Sequence, residues 1–430
     1  MKIKQILASL LLIAIFACSP KTKQVNQFTS SSDTLIVQTS KIKGFGLFSG
    51  EAVNLEFRDT TGSNDFQVIY PKGITNIRSG WESVDYKPFW YRNITDEKSP
   101  YITSFLKDYF PAKIDTSNLP SIRDNSISIM SGLRGKDPIF IVDQNNNKDF
   151  RDDSVRLVQP IDWKAYAKLI KCKYKIYNGK EMVEDSSWLN IGAEGSGQLL
   201  FFISHHLEAN FSFDNQPYQI GVVNGPPMLR FCFDSPILAL TAQSGIKKDT
   251  LFDADLLKKG EYLKLKDNYY RFEDVSNDGK TIVLVKENDF SSKIGTKTGM
   301  LAPGFSCKSM GGDSIRFKDY KGKYLLLINV SSCWSKESSY KCYKDLTDAY
   351  RGRLEFLCID KSPDILDNNI KELKLSGRFI NANENQTIEA YRPEYCSRTC
   401  FLINPGGRIV DKFEIFDWKS KLEHFFNAEK

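Results

Sequence analysis

Cysteine is the residue type in this chain that is best placed to do covalent chemistry. Of nine cysteines, six follow residue 300, and they are Cys307, Cys333, Cys342, Cys358, Cys396 and Cys400. A thiol attacks as its thiolate, which forms most readily at a helix N-terminus or beside a cation. Cys333 stands between an apolar, strand-like run and a helical pattern, with the cationic Lys336 near the same turn. These positions predict a nucleophilic thiol at Cys333, with Lys336 helping to stabilise its thiolate.

Composition disfavours several other classes of site. Three histidines are too few for a histidine-rich metal site, and they also make a Ser-His-Asp hydrolase improbable. The formal charge of +6 over 430 residues is not gathered into a basic stripe, so no nucleic-acid partner is predicted. The composition is that of an ordinary globular protein, with too few cysteines for a disulfide scaffold. No organic cofactor is predicted.

An oxygen-rich segment over residues 143–153 has the spacing of a cation-binding loop. Ca²⁺ takes roughly six to eight oxygen ligands, and oxygen-bearing side chains recur here at alternate positions. Two departures weaken the match, because Lys148 replaces a turn glycine and Ser154 replaces a closing glutamate. A polar hairpin turn is the alternative, since Asn and Asp are good turn formers. The candidate ligands of a structural Ca²⁺ are Asp143, Asn145, Asn147, Asp149 and Asp153.

The first residues have the pattern of an export signal. Lys2 and Lys4 precede an apolar run over residues 6–17, which is short for a bilayer span and fits a signal peptide. The run ends at Ala17 and Cys18, which resembles a bacterial lipoprotein box and implies acylation of Cys18. An ordinary cleaved signal is the alternative. We expect a lipoprotein signal over 1–18 and a flexible tether over 19–34. Because Ser19 is not acidic, the expected anchor is in the outer membrane and faces the periplasm.

The rest of the chain divides into two β-rich regions and one α/β region. Short alternating runs with turn residues indicate an N-terminal β-rich domain over 35–160. A second, antiparallel β domain is predicted over 161–296, where Asn277-Asp-Gly marks a hairpin. From residue 297 onward, apolar strand-like runs alternate with helical patterns, and a hairpin and a closing helix follow. The predicted fold class is therefore multi-domain, with β-rich N-terminal and middle domains and a C-terminal α/β domain over 297–430.

The C-terminal domain resembles the thioredoxin superfamily, in particular its membrane-tethered TlpA-like and redoxin members. The residues that carry the resemblance are Ala302-Pro303 with Phe305, Gly322-Lys323, Cys333 at a strand-to-helix junction, Leu346 and Tyr350, and Phe401-Leu-Ile-Asn-Pro-x-Gly407. The resemblance implies a thioredoxin-like fold and thiol–disulfide exchange on protein thiols and disulfides.

Two positions depart from the pattern of that family. Where a second cysteine would resolve the mixed disulfide, the sequence has Lys336, and where a cis-proline would face the sulfur it has Arg398. A cis bond before a non-proline residue costs about 2.5–4 kcal/mol, so we expect a trans peptide and a rearranged loop. In this fold the loop of Arg398 approaches the nucleophile, which makes Arg398 a possible charge partner. Cys396 or Cys400 is then a possible resolving thiol, and a Cys396–Cys400 bridge is another arrangement.

Three hypotheses about function are left open by the sequence. In the first, the protein is an envelope thiol–disulfide oxidoreductase with a degenerate Cys-Trp-Ser-Lys site. In the second, the two departures mark a thioredoxin-fold domain that has lost turnover and serves as a binding or scaffold module. In the third, the N-terminal β domains carry the function by binding an envelope protein or a glycan. The ionisation of Cys333 and turnover of a disulfide substrate distinguish the first two.

Overall fold

A computed structural model of the chain describes residues 26–49, 53–59, 68–85, 126–162, 168–195, 197–225, 231–251, 255–330, 336–391 and 398–428. Cys18, Cys333 and Cys396 lie outside these ranges, as does the apolar run before Cys18. Within the described ranges, no helix is both long enough and apolar enough to cross a membrane.

The described residues before residue 290 are built mainly from strands, and we call this part the β body. In chain order the strands are β1 Asn26–Phe28, β2 Thr34–Gln38, β3 Ser40–Lys43, β4 Val53–Asn54, β5 Arg58–Asp59, β6 Thr75–Ser83, β7 Ser126–Arg134, β8 Asp137–Val142, β9 Arg156–Leu157, β10 Ile170–Tyr177, β11 Met182–Ala193, β12 Leu199–Ile203, β13 His205–Phe213, β14 Gln216–Asn224, β15 Pro236–Gln243, β16 Ile246–Lys247, β17 Leu257–Lys258, β18 Tyr262–Leu265, β19 Asn268–Val275 and β20 Thr281–Glu287.

The strands of the β body pair into four sheets within the described residues. One sheet has the order β1-β13-β14-β15-β16, in which β3 also pairs with β13 and β17 also pairs with β15. The other sheets have the orders β18-β19-β20-β2, β10-β11-β12-β4 and β5-β6-β7-β8-β9. The first two sheets share one core, in which Phe211 and Tyr218 meet Tyr270 and Leu284. The last two share another, in which Ile170 and Phe201 meet Phe140. Alternating burial along β10 is typical of a strand with one face on a core.

The strand pairing corrects the predicted boundaries before residue 296. Leu35 of β2 lies opposite Leu284 of β20, and Lys41 of β3 lies opposite Leu207 of β13. Three of the four sheets therefore combine strands from the regions 35–160 and 161–296, whereas the sheet β5-β6-β7-β8-β9 lies wholly within 35–160. The predicted tether over 19–34 is also too long, because residues 26–28 form β1, which runs parallel to β13.

The predicted alternation of strands and helices is present after residue 300. In chain order the elements are β21 Ser306–Lys308, β22 Ser314–Arg316, β23 Leu325–Asn329, α1 Lys336–Ala349, β24 Glu355–Asp360, α2 Pro363–Leu373, β25 Arg378–Asn381, β26 Thr399–Ile403, β27 Ile409–Glu414 and α3 Trp418–Ala428. Five of the strands form one sheet in the order β25-β24-β23-β26-β27, in which β25, β24 and β23 are parallel and β26 and β27 are antiparallel.

Alternate residues of the central strands pack on opposite faces of this sheet. Ile328, Cys358 and Cys400 belong to the face covered by α1, α2 and α3. The other face carries Leu327 and Phe401 and packs against residues 302–320 and 388–391. The connections β23-α1-β24 and β24-α2-β25 both move one strand towards the β25 edge of the sheet. Because such connections are right-handed, α1 and α2 lie on the same face of the sheet.

The segment between the β body and the α/β unit, residues 290–300, is hydrogen-bonded and packed against both. The Gly299 amide donates to Ile409 O at 2.8 Å, and the Ile409 amide donates to Met300 O at 2.9 Å. The Arg408 guanidinium donates to Ser291 O at 3.0 Å. On the other side, Phe290 stacks on Tyr269 of β19 with ring centres 3.5 Å apart. These contacts fix the sheet of the α/β unit against the end of the β body.

Candidate thiol site

Strand β23 leads towards Cys333 in the chain, and strand β26 follows Cys396. These strands are antiparallel, and Ile328 lies opposite Cys400. Val330 follows β23 and Arg398 precedes β26, so both stand at the sheet edge where β23 ends and β26 begins. The chain that leads to Cys333 and the chain that follows Cys396 therefore meet at this edge, which we call the thiol edge.

Lys336 is the first residue of α1, which begins soon after β23 ends. The first amides of a helix have no acceptor within the helix and form the positive end of its dipole. An anion in the chain just before Lys336 would be stabilised by this helix end. Stabilisation of a Cys333 thiolate by this helix end stays a prediction.

Arg398 is half-buried at the thiol edge. Its backbone oxygen accepts a hydrogen bond from the Ile415 amide at 3.0 Å, which ties the start of β26 to the turn after β27. Its guanidinium carbon lies 4.7 Å from the centre of the Phe416 ring, and Phe416 is 42% exposed. A cation over an aromatic face is held electrostatically. Arg398 therefore keeps a positive charge at this edge, where the thioredoxin resemblance implies a proline.

The burial of Cys400 argues against the predicted role of this residue as a resolving thiol. Cys400 is 0% exposed and lies in β26 between β23 and β27. Burial raises the pKa of its thiol well above the usual value, and Glu414 acts in the same direction. Resolution of a mixed disulfide requires a thiolate that can reach the neighbouring sulfur. The burial therefore disfavours Cys400 as a resolving thiol, while Cys396 stays a prediction outside the described residues.

Cys342 of α1 is the half-buried thiol on the same face of the sheet. Burial raises its pKa, and Asp345 adds to the effect, whereas Lys419, Arg398 and Lys341 act in the opposite direction. Lys419, Arg398 and Lys341 are therefore close enough to Cys342 to oppose part of this rise in its pKa.

A buried carboxylate that sequence analysis missed lies at the thiol edge. Asp360 ends β24 and is 1% exposed, and its Oδ2 accepts a hydrogen bond from the Tyr340 hydroxyl of α1. The Ser362 amide donates to Oδ1 at 2.9 Å. Asp360 therefore ties the second turn of α1 to the strand beside it. The signal in the sequence is an aspartate that ends an apolar strand, at the sheet edge where sites gather in α/β folds.

All three parallel strands end in a buried polar residue. Asn329 ends β23 at 0% exposure, Asp360 ends β24, and Asn381 ends β25 at 8% exposure. Thr399, at the start of β26, is 1% exposed. Buried polar groups are retained where hydrogen bonds compensate their desolvation. The thiol edge is thus polar although the sheet beneath it is apolar.

The oxygen-rich loop after β8 is held by its own amides. Asp143 accepts hydrogen bonds from the Asn147 amide at 3.0 Å and from the Lys148 amide at 2.9 Å. The side-chain oxygens of Asn145 and Asn147 accept from amides two residues further on. Asp149 pairs with Arg151 at 2.6 Å. These bonds use oxygens that a cation would need, so they favour the polar turn.

Lys148 adds a positive charge to the middle of this loop. Its ammonium group donates to Ser126 O at 2.8 Å and to Asn146 Oδ1 at 2.6 Å. Asp153 accepts from the Gln144 amide at 3.1 Å, and burial raises its pKa to about 6. Among the described residues, no group of three or more His, Cys, Asp or Glu side chains is arranged to hold a metal ion. Calcium binding by this loop stays a prediction.

Comparison with known proteins gives partial similarities. No family model matches the sequence. A curated relative, glutathione peroxidase 1 of Caenorhabditis elegans, is 40% identical over 48 residues, or 11% of this chain. The chain spans 29% of the length of that relative.

Solved structures similar to part of the chain include thiol-disulfide oxidoreductases. The thioredoxin domain of one from Bacteroides vulgatus is 21% identical, with 30% of this chain and 96% of that chain covered and a TM-score of 0.26. Another, from Bacteroides fragilis, is 22% identical over 29% of this chain and 98% of that chain, with a TM-score of 0.26. Peroxiredoxin Q of Xanthomonas campestris is 14% identical over 29% of this chain and 91% of that chain, with a TM-score of 0.25.

Proposed function

We propose that the α/β unit of residues 297–430 is a thioredoxin-like domain that carries out thiol–disulfide exchange at Cys333. The observation that carries this proposal is the convergence at the thiol edge. There, the strand that leads to Cys333 ends and the strand that follows Cys396 begins, and Ile328 and Cys400 are paired close to both ends. Helix α1 starts at Lys336, so its positive end follows Cys333 directly in the chain.

In the proposed reaction, the Cys333 thiolate attacks one sulfur of a substrate disulfide. A mixed disulfide forms, and the other substrate sulfur leaves as a thiolate. The Cys396 thiolate then attacks Cys333 and releases the second substrate sulfur, so the substrate is reduced and a Cys333–Cys396 disulfide forms. A dithiol reductant restores both cysteines. The start of α1, Lys336 and Arg398 would favour the thiolate form of Cys333.

The alternative function is a binding or scaffold module without redox turnover. Its support is that Cys400 is inaccessible in the core and Lys336 stands in place of a resolving cysteine. Under this alternative Cys333 would titrate near the ordinary thiol pKa of about 8.5. The two functions therefore differ in a measurable property of one residue.

The test combines turnover with thiol titration of the full chain in detergent. Reduction of insulin with dithiothreitol as the dithiol should exceed the rate with dithiothreitol alone, and Cys333→Ser should remove the excess. The rate of Cys333 alkylation by iodoacetamide should show a pKa below about 8.5. A rate equal to the dithiothreitol blank, with a pKa at or above that value, would establish the scaffold alternative.

The resolving step has its own matched pair of variants. Cys396→Ala should trap a mixed disulfide between Cys333 and the substrate, visible by mass spectrometry under non-reducing conditions. Cys400→Ala serves as the control, because Cys400 is buried in β26 and should not change the trapping. Equal trapping in both variants would remove Cys396 from the mechanism.

We also propose that the protein works in the cell envelope, held by lipid on Cys18. The support is the apolar run before Cys18 and the lipoprotein-like Ala17-Cys18 junction. Proteins with thiols or disulfides are then its proposed partners. Metabolic labelling with a fatty-acid analogue should modify the wild-type chain, and the Cys18→Ser variant should stay unlabelled. Labelling of both would contradict the assignment.

A further inference from the structure

A cavity of about 260 Å³ opens at the end of the α/β sheet opposite to the thiol edge. Its floor includes Leu325 at the start of β23 and Ile403 at the end of β26, which lie opposite each other in the register. Their side chains are 0% and 2% exposed. The floor is therefore a rigid part of the sheet core.

Two turns form the walls of this cavity. One is the helical turn Phe317–Tyr320, which supplies two aromatic rings, and the other is the β-turn of Pro405, Gly406 and Gly407. The Gly322 amide donates to Pro405 O at 3.1 Å and so joins the two turns. The walls and floor present apolar surface, which favours the burial of an apolar group.

The rim of the cavity is positively charged. Lys318, Lys321 and Lys323 line it, and Lys323 is paired with Glu355 at 2.7 Å. The neighbouring Asp319 carboxylate lies 3.4 Å from the Arg316 guanidinium. Within the described part of the chain, neither Lys318 nor Lys321 has a carboxylate within 4.0 Å. These two exposed lysines of the cavity lining are thus available to a ligand.

We propose that this cavity binds a small amphipathic monocarboxylate, with its apolar part against Leu325, Ile403 and Phe317 and its carboxylate at Lys318 and Lys321. The cavity is below the usual size of about 300–1,000 Å³ for drug-sized ligands, so it fits a ligand of on the order of ten non-hydrogen atoms. Charge complementarity selects an anion, and the apolar floor selects an aliphatic or aromatic body. This site is separate from the thiol edge and does not depend on the proposed redox function.

The test is a titration of the full chain with octanoate, followed by the amide NMR signals of the cavity. Saturable shifts should be confined to residues 317–325 and 403–407. Hexanoate, which has two fewer methylenes, should bind on the order of tenfold more weakly because less apolar surface is buried. Octanol at the same concentration should bind about tenfold more weakly than octanoate, and binding as tight as that of octanoate would overturn the role of the carboxylate.

A double variant and its control test how much Lys318 and Lys321 contribute to ligand binding. The double variant K318Q/K321Q should weaken octanoate binding about tenfold, since it removes charge-assisted contacts. Its control is K173Q/K175Q, in which two exposed lysines of β10 are lost from the β body with the same change in net charge. An equal loss in both double variants, or the absence of saturable shifts in the wild type, would overturn the proposal.

A third variant fills the cavity without changing charge. A Cβ built on Gly406 meets only Asn404 Oδ1, at 3.4 Å, so the backbone tolerates a side chain there. Gly406→Leu should keep the amide spectrum of the folded chain and lose octanoate binding. A folded Gly406→Leu chain that still binds octanoate with unchanged affinity would show that the ligand does not occupy this cavity.

Discussion

At the scale of single residues, burial decides which thiols can take part in exchange. Cys358 and Cys400 lie on either side of Ile328 on one face of the sheet, and both are fully buried. Burial raises the pKa of both thiols well above the usual value. Cys342, by contrast, is half-buried among cationic groups. The same residue type thus has different burial and charge surroundings at three neighbouring positions.

This difference predicts a reactivity order for iodoacetamide at pH 8. In the folded protein, Cys358 and Cys400 should stay unmodified over a period in which Cys342 is partly alkylated, because the reagent needs an accessible thiolate. Peptide mass spectrometry measures each site, and urea-unfolded protein, in which all three should react, is the control. Rapid modification of Cys400 in the folded chain would contradict its place in the core.

Glu82 of β6 predicts how stability depends on pH. Burial, with help from Glu56, raises the pKa of this carboxyl to about 8. Between about pH 4.5 and 8 the folded protein keeps a proton that the unfolded chain releases, so the free energy of unfolding falls as the pH rises through this range. Glu82→Gln should reduce that fall by more than about 1 kcal/mol, since one pKa unit corresponds to about 1.4 kcal/mol.

Urea unfolding at pH 5 and pH 8 measures the effect of Glu82. The matched control is Glu194→Gln, in which an exposed glutamate of the same region is neutralised. The prediction fails if the two variants show the same change in unfolding free energy between the two pH values.

At the scale of elements, local sequence patterns predicted many of the helices and turns. They did not predict which distant strands pair. The three helices of the α/β unit and the hairpin at Asn277-Asp-Gly were predictable, because helical periodicity and turn chemistry are local signals. The pairing of β2 and β3 with strands beyond residue 200 could not be predicted, because pairing between distant segments has no local sequence signal. The sequence also could not predict which face of the sheet Cys400 lies on. Every residue of β26 is buried, so the strand shows no alternation of apolar and polar residues.

The hairpin β19–β20 yields a prediction about its turn glycine. Gly279 has φ +70°, and an added Cβ would lie 2.5 Å from Phe233 Cε2. Gly279→Ala should therefore cost backbone strain plus overpacking, about 2–4 kcal/mol in total. Gly245→Ala is the control, because Gly245 has φ +82° but no atom within 4 Å of the added Cβ. It should cost about 1–2 kcal/mol.

Urea unfolding of both alanine variants measures these costs. The difference between them isolates the contact with Phe233, because the two glycines share the positive φ. Equal losses of stability would show that Phe233 moves aside at no cost.

At the scale of the whole molecule, the amino-terminal strands hold together sheets formed by much later residues. β2 is paired with β20 and β3 with β13, and Leu35 and Val37 are fully buried in the shared core. A chain that starts at residue 44 lacks β1, β2 and β3 and should lose the cooperative melting of the β body. A chain that starts at residue 26 keeps all three strands and is the control.

Circular dichroism melting compares the two shortened chains. The chain from residue 26 should melt like the full chain, and the chain from residue 44 should show a broad transition at lower temperature with exposed apolar surface. Identical transitions would mean that strands β1–β3 do not stabilise the β body.

The pairing of β2 with β20 also orders events during synthesis. A ribosome releases the amino-terminal strands first, yet β20, with which β2 pairs, is made more than 200 residues later. Until then the backbone of β2 lacks this pairing, and an unpaired strand favours association with other chains. The last closure of the β body must therefore follow translation of residue 287.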